Sequence, residues 1–297
     1  MPAEVIKLVH AMISLMHQSL HLLRRMFDRC SGREELGPPS CELDADAASA
    51  MIEDLLRSGR PAMVGRFGCT EMSCLHNYLE IGKAGRNPLD YITGRRDQWW
   101  WNKSIMRQMR EWSGFFPAAP EYLARFCELM LRDMMELDIL GSWLPYEREV
   151  MPMIRDVPRV RLLNLEPYWS SRPWSRALEG RKVLVVHPFA ESITLQYERN
   201  RERIFENPEV LPSFSLETLA AVQSLGAGPD RFADWFEALA WMEGEMDRRD
   251  YDVCLIGCGA YGFHLAAHAK RRGRQAVHLG EALGRPGLRG GSRRSQI

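Results

Sequence analysis

Apolar positions in the C-terminal half of the chain follow two alternating patterns. Lys182–Val186, Tyr251–Ile256 and Gln275–Leu279 are short, nearly continuous apolar runs. Between them, Glu191–Phe205, Arg231–Asp247 and Tyr261–Arg271 carry apolar residues at helical spacing, with Phe232, Trp235, Phe236, Leu239 and Met242 on one face of the second. Phe214–Leu219 adds a further strand-like run. Strands that are apolar on both sides and alternate with helices predict an α/β fold, a mostly parallel sheet covered by helices on both faces.

The N-terminal half reads less regularly. Leu43–Ser58 predicts a helix with Asp44 as its cap, and Pro61–Arg66 a strand that turns through Phe67–Glu71 into a helix ending near Leu79. Asp97–Trp112, with Trp99, Trp100, Trp101 and Trp112, and Pro120–Leu137 predict helices. Asp138–Gly141 and Arg161–Leu165 predict short strands, and Arg172–Leu178 a short helix. The implied organisation is an N-terminal helix over 1–30, one α/β domain over 42–283 with a helical insertion at about 97–137, and a basic, flexible tail over 284–297. Ser31, Gly32, Gly37, Pro38, Pro39 and Ser40 make 30–41 a linker.

Val5, Leu8, Met12, Leu15, Met16, Leu20, Leu23 and Met26 recur at helical spacing before that linker. Lys7, His10, His17, His21, Arg24 and Arg25 interrupt the run, so no apolar stretch is long enough to span a bilayer. No small-residue cleavage site follows, which argues against a signal peptide. Two readings stand: a helix packed on the body or on a second copy, and a helix lying at a membrane surface.

Composition narrows the class. The 297 residues are 45% hydrophobic and 26% charged, with Lys plus Arg equal to Asp plus Glu. A net charge of zero gives no electrostatic footprint for nucleic acid. Seven cysteines at irregular spacing, several in apolar runs, read as reduced thiols of a cytoplasmic protein.

Three strand-to-helix turns carry candidate chemistry. Gly257-Cys258-Gly259-Ala260-Tyr261-Gly262 follows a strand and opens a helix. Its glycines let a ligand approach bare backbone, and the helix N-terminus behind them favours phosphate. The spacing matches a dinucleotide fingerprint, but the acid expected about twenty residues on has no good candidate, and only one strand follows. A nucleotide or nucleotide-sugar therefore fits better than NAD, and tight strand–helix packing is the plain alternative. His187-Pro188-Phe189-Ala190-Glu191 ends a second strand. His187 and Glu191 can serve as acid or base, and Glu191 can equally favour a helix dipole. Arg66-Phe67-Gly68-Cys69-Thr70-Glu71 is the third turn, where an Arg and a Glu can hold a diphosphate directly and through a divalent cation. Glu217, Thr218 and Gln223 follow another strand toward the same edge, and Trp143–Glu147 offers an aromatic surface for a sugar ring.

Taken in order, Arg66-Phe-Gly-x-x-Glu71, Lys182-Val-Leu-Val-Val-His-Pro-Phe189 and Asp252-Val-Cys-Leu-Ile-Gly-Cys-Gly259 resemble the GT-D-type glycosyltransferases of bacterial surface-glycan clusters, over roughly Ala62 to Gly280. The resemblance implies a Rossmann-like fold and transfer of a hexosyl-type sugar from a nucleotide-sugar, most simply a UDP-sugar, to a glycan or lipid-linked acceptor in polysaccharide synthesis. It places Arg66, Gly68, Gly257, Gly259, Tyr261, Gly262 and Gln223 around the donor, with Glu71, His187 and Glu191 in catalysis. It also places Mn²⁺ or Mg²⁺ at Glu71. That family's first turn has an Asp and a Gly where this chain has Cys69 and Thr70, and a thiolate is a poor ligand for either cation. A binding or assembly protein of the same pathway, without turnover, is the competing expectation, and an NAD-dependent oxidoreductase the more remote one.

Overall fold

The computed structural model describes residues 3–31, 37–224 and 231–280. The linker residues 32–36 and the expected basic tail fall outside the described residues. Seven strands form one sheet: β1 (Ala62–Arg66), β2 (Ile139–Ser142), β3 (Arg159–Arg161), β4 (Lys182–His187), β5 (Ser215–Ala220), β6 (Val253–Ile256) and β7 (Gln275–His278). Their spatial order is β3-β2-β1-β7-β6-β4-β5, and every neighbouring pair is parallel. The helices are α1 (Ala3–Ser31), α2 (Ala45–Arg57), α3 (Cys69–Gly82), α4 (Pro88–Ile92), α5 (Lys103–Glu111), α6 (Pro120–Asp133), α7 (Glu147–Val150), α8 (Ala190–Ile204), α9 (Trp235–Asp247) and α10 (Tyr261–Arg271).

Period-two alternation along the strands explains the layering. Met63, Leu184, Val186, Cys254, Ile256 and Ala276 face α3, α6, α9 and α10. The residues between them, Val64, Val183, Val185, Val253, Leu255 and Val277, face α2, with Trp174, Leu178 and Ile193 of α8 on the same side. Both faces are therefore covered, as the apolar runs predict. Asp44 caps α2 as expected, its side chain accepting from the Ala47 amide at 2.8 Å.

Several predicted elements differ: the helix expected over Arg231–Asp247 begins at Trp235 after its cap Asp234, so Phe232 precedes it, and that over Pro120–Leu137 ends at Asp133. The third strand is Arg159–Arg161, and Leu162–Leu165 is a 3₁₀ turn. Trp174–Leu178 is likewise 3₁₀. The helix expected over Asp97–Trp112 begins only at Lys103, because Asn102 caps it, accepting from the amides of Ser104 and Ile105 at 2.9 and 3.3 Å. Upstream, Asn77 of α3 donates to the carbonyls of Gln98 and Trp100, both at 3.0 Å. Asn77 thus holds 98–100 in an irregular course ahead of the cap, and the three tryptophans lie in that segment.

Candidate functional site

A cleft of about 450 Å³ opens at the carboxyl edge of the sheet. It runs along the chain leaving β1, β2, β3, β6 and β7 and reaches down to Phe126 and Met130 of α6. The chains leaving β1 and β6 enter α3 and α10, on one face, whereas the chain leaving β4 enters α8, whose Ile193 packs on the other. Open α/β sheets bind ligands at such partings; here Gly259 borders the parting, and the rest of the cleft lies over β3, β2, β1 and β7.

Arg66, the last residue of β1, lies in the cleft with its guanidinium against Gly280, where any side chain would collide with it. Its Nη2 donates to the Phe67 carbonyl at 3.1 Å, and its Cζ lies 5.5 Å from the centre of the Trp143 ring. The Trp143 indole Nε1 donates to the same carbonyl at 2.9 Å. Gly68 is the N-cap of α3 and Glu71 its third residue; the Glu71 carboxylate folds back over Gly68 and fills the space a Cβ would take. That is also the posture of a glutamate closing a capping box. Cys69 is exposed at the cleft, and Thr70 is half-buried beside it.

Glu166, on the chain after β3, also lines the cleft. Its Oε2 accepts from the Trp169 indole Nε1 at 2.9 Å and from the Tyr168 hydroxyl. Both donors meet one oxygen, which anchors that end of the carboxylate. Trp112, Trp143 and Trp169 are 65%, 37% and 57% exposed, so indole faces stand open in and beside the cleft.

At the base are two buried imidazoles. His278 ends β7, and burial, followed by the charge of Arg66, pushes its pKa down to about 3, so it is neutral at ordinary pH. His264 of α10 shares its Nδ1 with Asp133 of α6 at 2.8 Å, and Arg271 donates to the other Asp133 oxygen at 2.7 Å. Burial would raise the Asp133 pKa, but the hydrogen bond and charge of His264, with Arg271 and Arg132, hold it below the usual range.

The glycine turn divides by role. Gly259 is exposed in the cleft at φ +58°, the left-handed conformation that glycine tolerates best, and the N-terminus of α10 follows. Gly257 is buried, its amide extending the β4–β6 pairing to Val186 at 3.0 Å. Gly262 is excluded from bearing a side chain by His278, whose Nε2 would lie 2.5 Å from a Cβ. Tyr261 is buried, stacked on Trp235 at 4.9 Å and sharing its hydroxyl with Ser224 at 3.1 Å. Its part is in the core, under the turn.

His187 and Glu191 are not among the residues lining the cleft. His187 is buried, and its Nδ1 accepts from the Phe189 amide at 3.0 Å; burial lowers its pKa. Glu191 is exposed in the first turn of α8. Gln223 is exposed and also away from the lining. Glu166, His264 and His278 carry no motif. His278 alone has a sequence signal, as a polar residue at the carboxyl end of an apolar strand.

Beside the cleft, His76 of α3 stacks on Tyr146 at 4.5 Å and bonds to Glu149 at 2.6 Å and Asp97 at 3.0 Å. Burial opposes its charge, but the two carboxylates outweigh it and raise the pKa to about 9. Asp97 also receives Arg24 of α1 at 2.8 Å.

No family model matches the sequence, and no curated protein does. Three solved structures are similar over most of the chain. One is described as a selenomethionine-substituted structure of domain of unknown function 1792 (DUF1792); it is 14% identical, with a TM-score of 0.34 over 88% of this chain and 82% of that one. A second, described as DUF1792 with a distinct glycosyltransferase fold, is 13% identical at a TM-score of 0.36, over 88% and 81%. The third, a new glycosyltransferase (DUF1792) from Streptococcus sanguinis, is 12% identical at 0.30, over 82% of each. Likeness at this level decides nothing about chemistry, which has to come from the cleft itself.

Proposed function

We propose that the protein is a glycosyltransferase that moves a hexose-type sugar from a nucleotide-sugar, a UDP-sugar in the simplest case, to a glycan or lipid-linked acceptor of surface-polysaccharide synthesis. One observation carries the reading. A single cationic side chain, Arg66, and the open backbone turn at Gly259 before α10 lie in one cleft at the carboxyl edge of the sheet. A diphosphate needs such a pair, a guanidinium fork and helix-terminal amides, and the aromatic faces of Trp112, Trp143 and Trp169 suit sugar rings.

In the reaction, the bond from the anomeric carbon to the diphosphate oxygen breaks and a bond to the acceptor oxygen forms. The acceptor proton passes to a base. Arg66 and the α10 amides stabilise the charge that develops on the leaving diphosphate. Glu166 is the cleft carboxylate suited to take the proton, since Trp169 and Tyr168 hold it in place through one oxygen. His187 and Glu191 sit apart from these groups.

The cleft fits a divalent cation poorly. No group of three His, Cys, Asp or Glu gathers as a ligand set among the described residues, Glu71 is folded on Gly68, and Cys69 is a soft donor. The steps above use no cation. Cys69 also supports a second reading, a protein that binds the nucleotide-sugar without turnover.

Titration with UDP-sugars and with NAD, each with and without Mn²⁺, followed by a transfer assay with mass-spectrometric detection, separates these readings. Metal-independent binding of a UDP-sugar, weakened at least tenfold by Arg66→Ala, with turnover is expected. Binding without turnover favours the second reading, and binding of NAD alone overturns both.

A further inference from the structure

Helix α1 is attached the wrong way round for an ordinary amphipathic helix. Its Ser14, His17, Leu20, His21, Arg24 and Phe27 turn toward the body and are buried or half-buried. His17 stacks on Trp100 at 3.9 Å, His21 bonds the Tyr91 hydroxyl at 2.7 Å, and Arg24 bonds the Arg96 carbonyl at 2.8 Å and pairs with Asp97. The contacts that hold the helix are thus mostly polar. The apolar stripe points away: Leu8, Met12, Leu15, Leu22, Leu23 and Met26 are 46–63% exposed. A helix that only needed to pack would bury that stripe.

Charge beside the stripe indicates what covers it. Exposed Lys7, Arg25 and Arg29 fall on one line along its edge, at whole-turn spacing. Of the acids on the helix, Asp28 lies on the docked side within 3.7 Å of Arg24, leaving Glu4 at the N-terminal end. An apolar stripe, interrupted by Ser19, with a basic border matches a bilayer surface rich in anionic lipid, where the stripe enters the acyl boundary and the basic side chains reach the headgroups. A second copy would bring its own Lys7, Arg25 and Arg29 against these, like charge to like. No helix among the described residues is long and apolar enough to cross a membrane, so the attachment is along the surface.

We infer that the outward face of α1 is an interfacial anchor that lays the protein on an anionic lipid surface. The test is flotation of the full chain with vesicles of phosphatidylcholine, alone or with one third phosphatidylglycerol, at low and high salt, with light scattering in parallel. The wild-type chain should float with the anionic vesicles, and high salt should weaken it. The double variant Leu15→Glu and Leu22→Glu should lose at least tenfold in bound fraction; both side chains are more than 60% exposed, so an unchanged melting temperature separates lost binding from lost folding. Arg25→Ser with Arg29→Ser should lose the preference for anionic over neutral vesicles. Failure to float on either vesicle overturns the inference. So does a dimer in solution that the Leu15→Glu and Leu22→Glu variant dissolves, which would assign the stripe to a second copy.

Discussion

The turns after β1 and β4 look alike in sequence and differ in space. Each ends a parallel strand, each starts a helix, and each sets a basic residue four or five positions before a glutamate. After β1 the chain enters α3, on the face shared with α10, and Arg66 and Glu71 end up in the cleft. After β4 it enters α8 on the opposite face, His187 is sealed by its own turn, and Glu191 faces solvent. The lesson is that a strand-end motif becomes a site according to where its strand stands in the sheet as well as which face the next segment takes. That choice depends on the pairing order of strands distant in sequence.

The sharpest way to break this comparison is to exchange the roles it assigns. Glu166→Gln should lower kcat for sugar transfer by about 10²–10⁴-fold, the usual worth of a positioned base. Glu191→Ala should change it less than about threefold, as for a surface residue outside the chemistry. Steady-state kinetics on both variants decide it, and the reverse ranking would return the base to the β4 turn. Next in size is the packing beneath the β6 turn. Gly262→Ala places a methyl 2.5 Å from His278 Nε2, and denaturant unfolding should show a loss of about 1–3 kcal/mol. Gly259→Ala, with open space around it, should cost only the strain of its left-handed φ, about 1 kcal/mol. A further effect, comparable in size to the Gly262→Ala loss, concerns pH. The folded-state pKa of His76, about 9, lies above the unfolded value of 6.5. Its contribution is therefore whole below pH 6.5 and disappears as pH rises through 9. Between those limits stability should fall by about 2 kcal/mol, since the partner Asp97 is 44% exposed and screened. Urea midpoints across that range, compared with His76→Gln, measure it.

Much of the sheet is legible from sequence because burial on both faces writes each strand as an apolar run: Lys182–Val186 and Tyr251–Ile256 are the plainest cases. The cleft is only half legible. Arg66 and Gly259 stand at strand ends, where position implies function. Glu166 follows a three-residue strand with no periodicity, and its value comes from Trp169 and Tyr168 folding back onto it. His264 reads as an interior helix residue until α6 brings Asp133 to it. The turn at Gly257 to Gly262 carries three glycines for three reasons, pairing, conformation and room for His278, and spacing alone cannot separate them. Helix α1 shows a further limit: periodicity identifies the apolar side of a helix and is silent on which side meets the protein.

The Phe67 carbonyl, which receives both Arg66 and Trp143, makes the cleft insensitive to drift in one respect. The common acceptor belongs to the main chain, so no replacement of the Phe67 side chain can delete it. A cation and an aromatic wall are referenced to a single peptide plane, and their spacing is inherited from the strand. A lineage could rewrite the neighbouring side chains and still keep the ruler against which a ligand is measured.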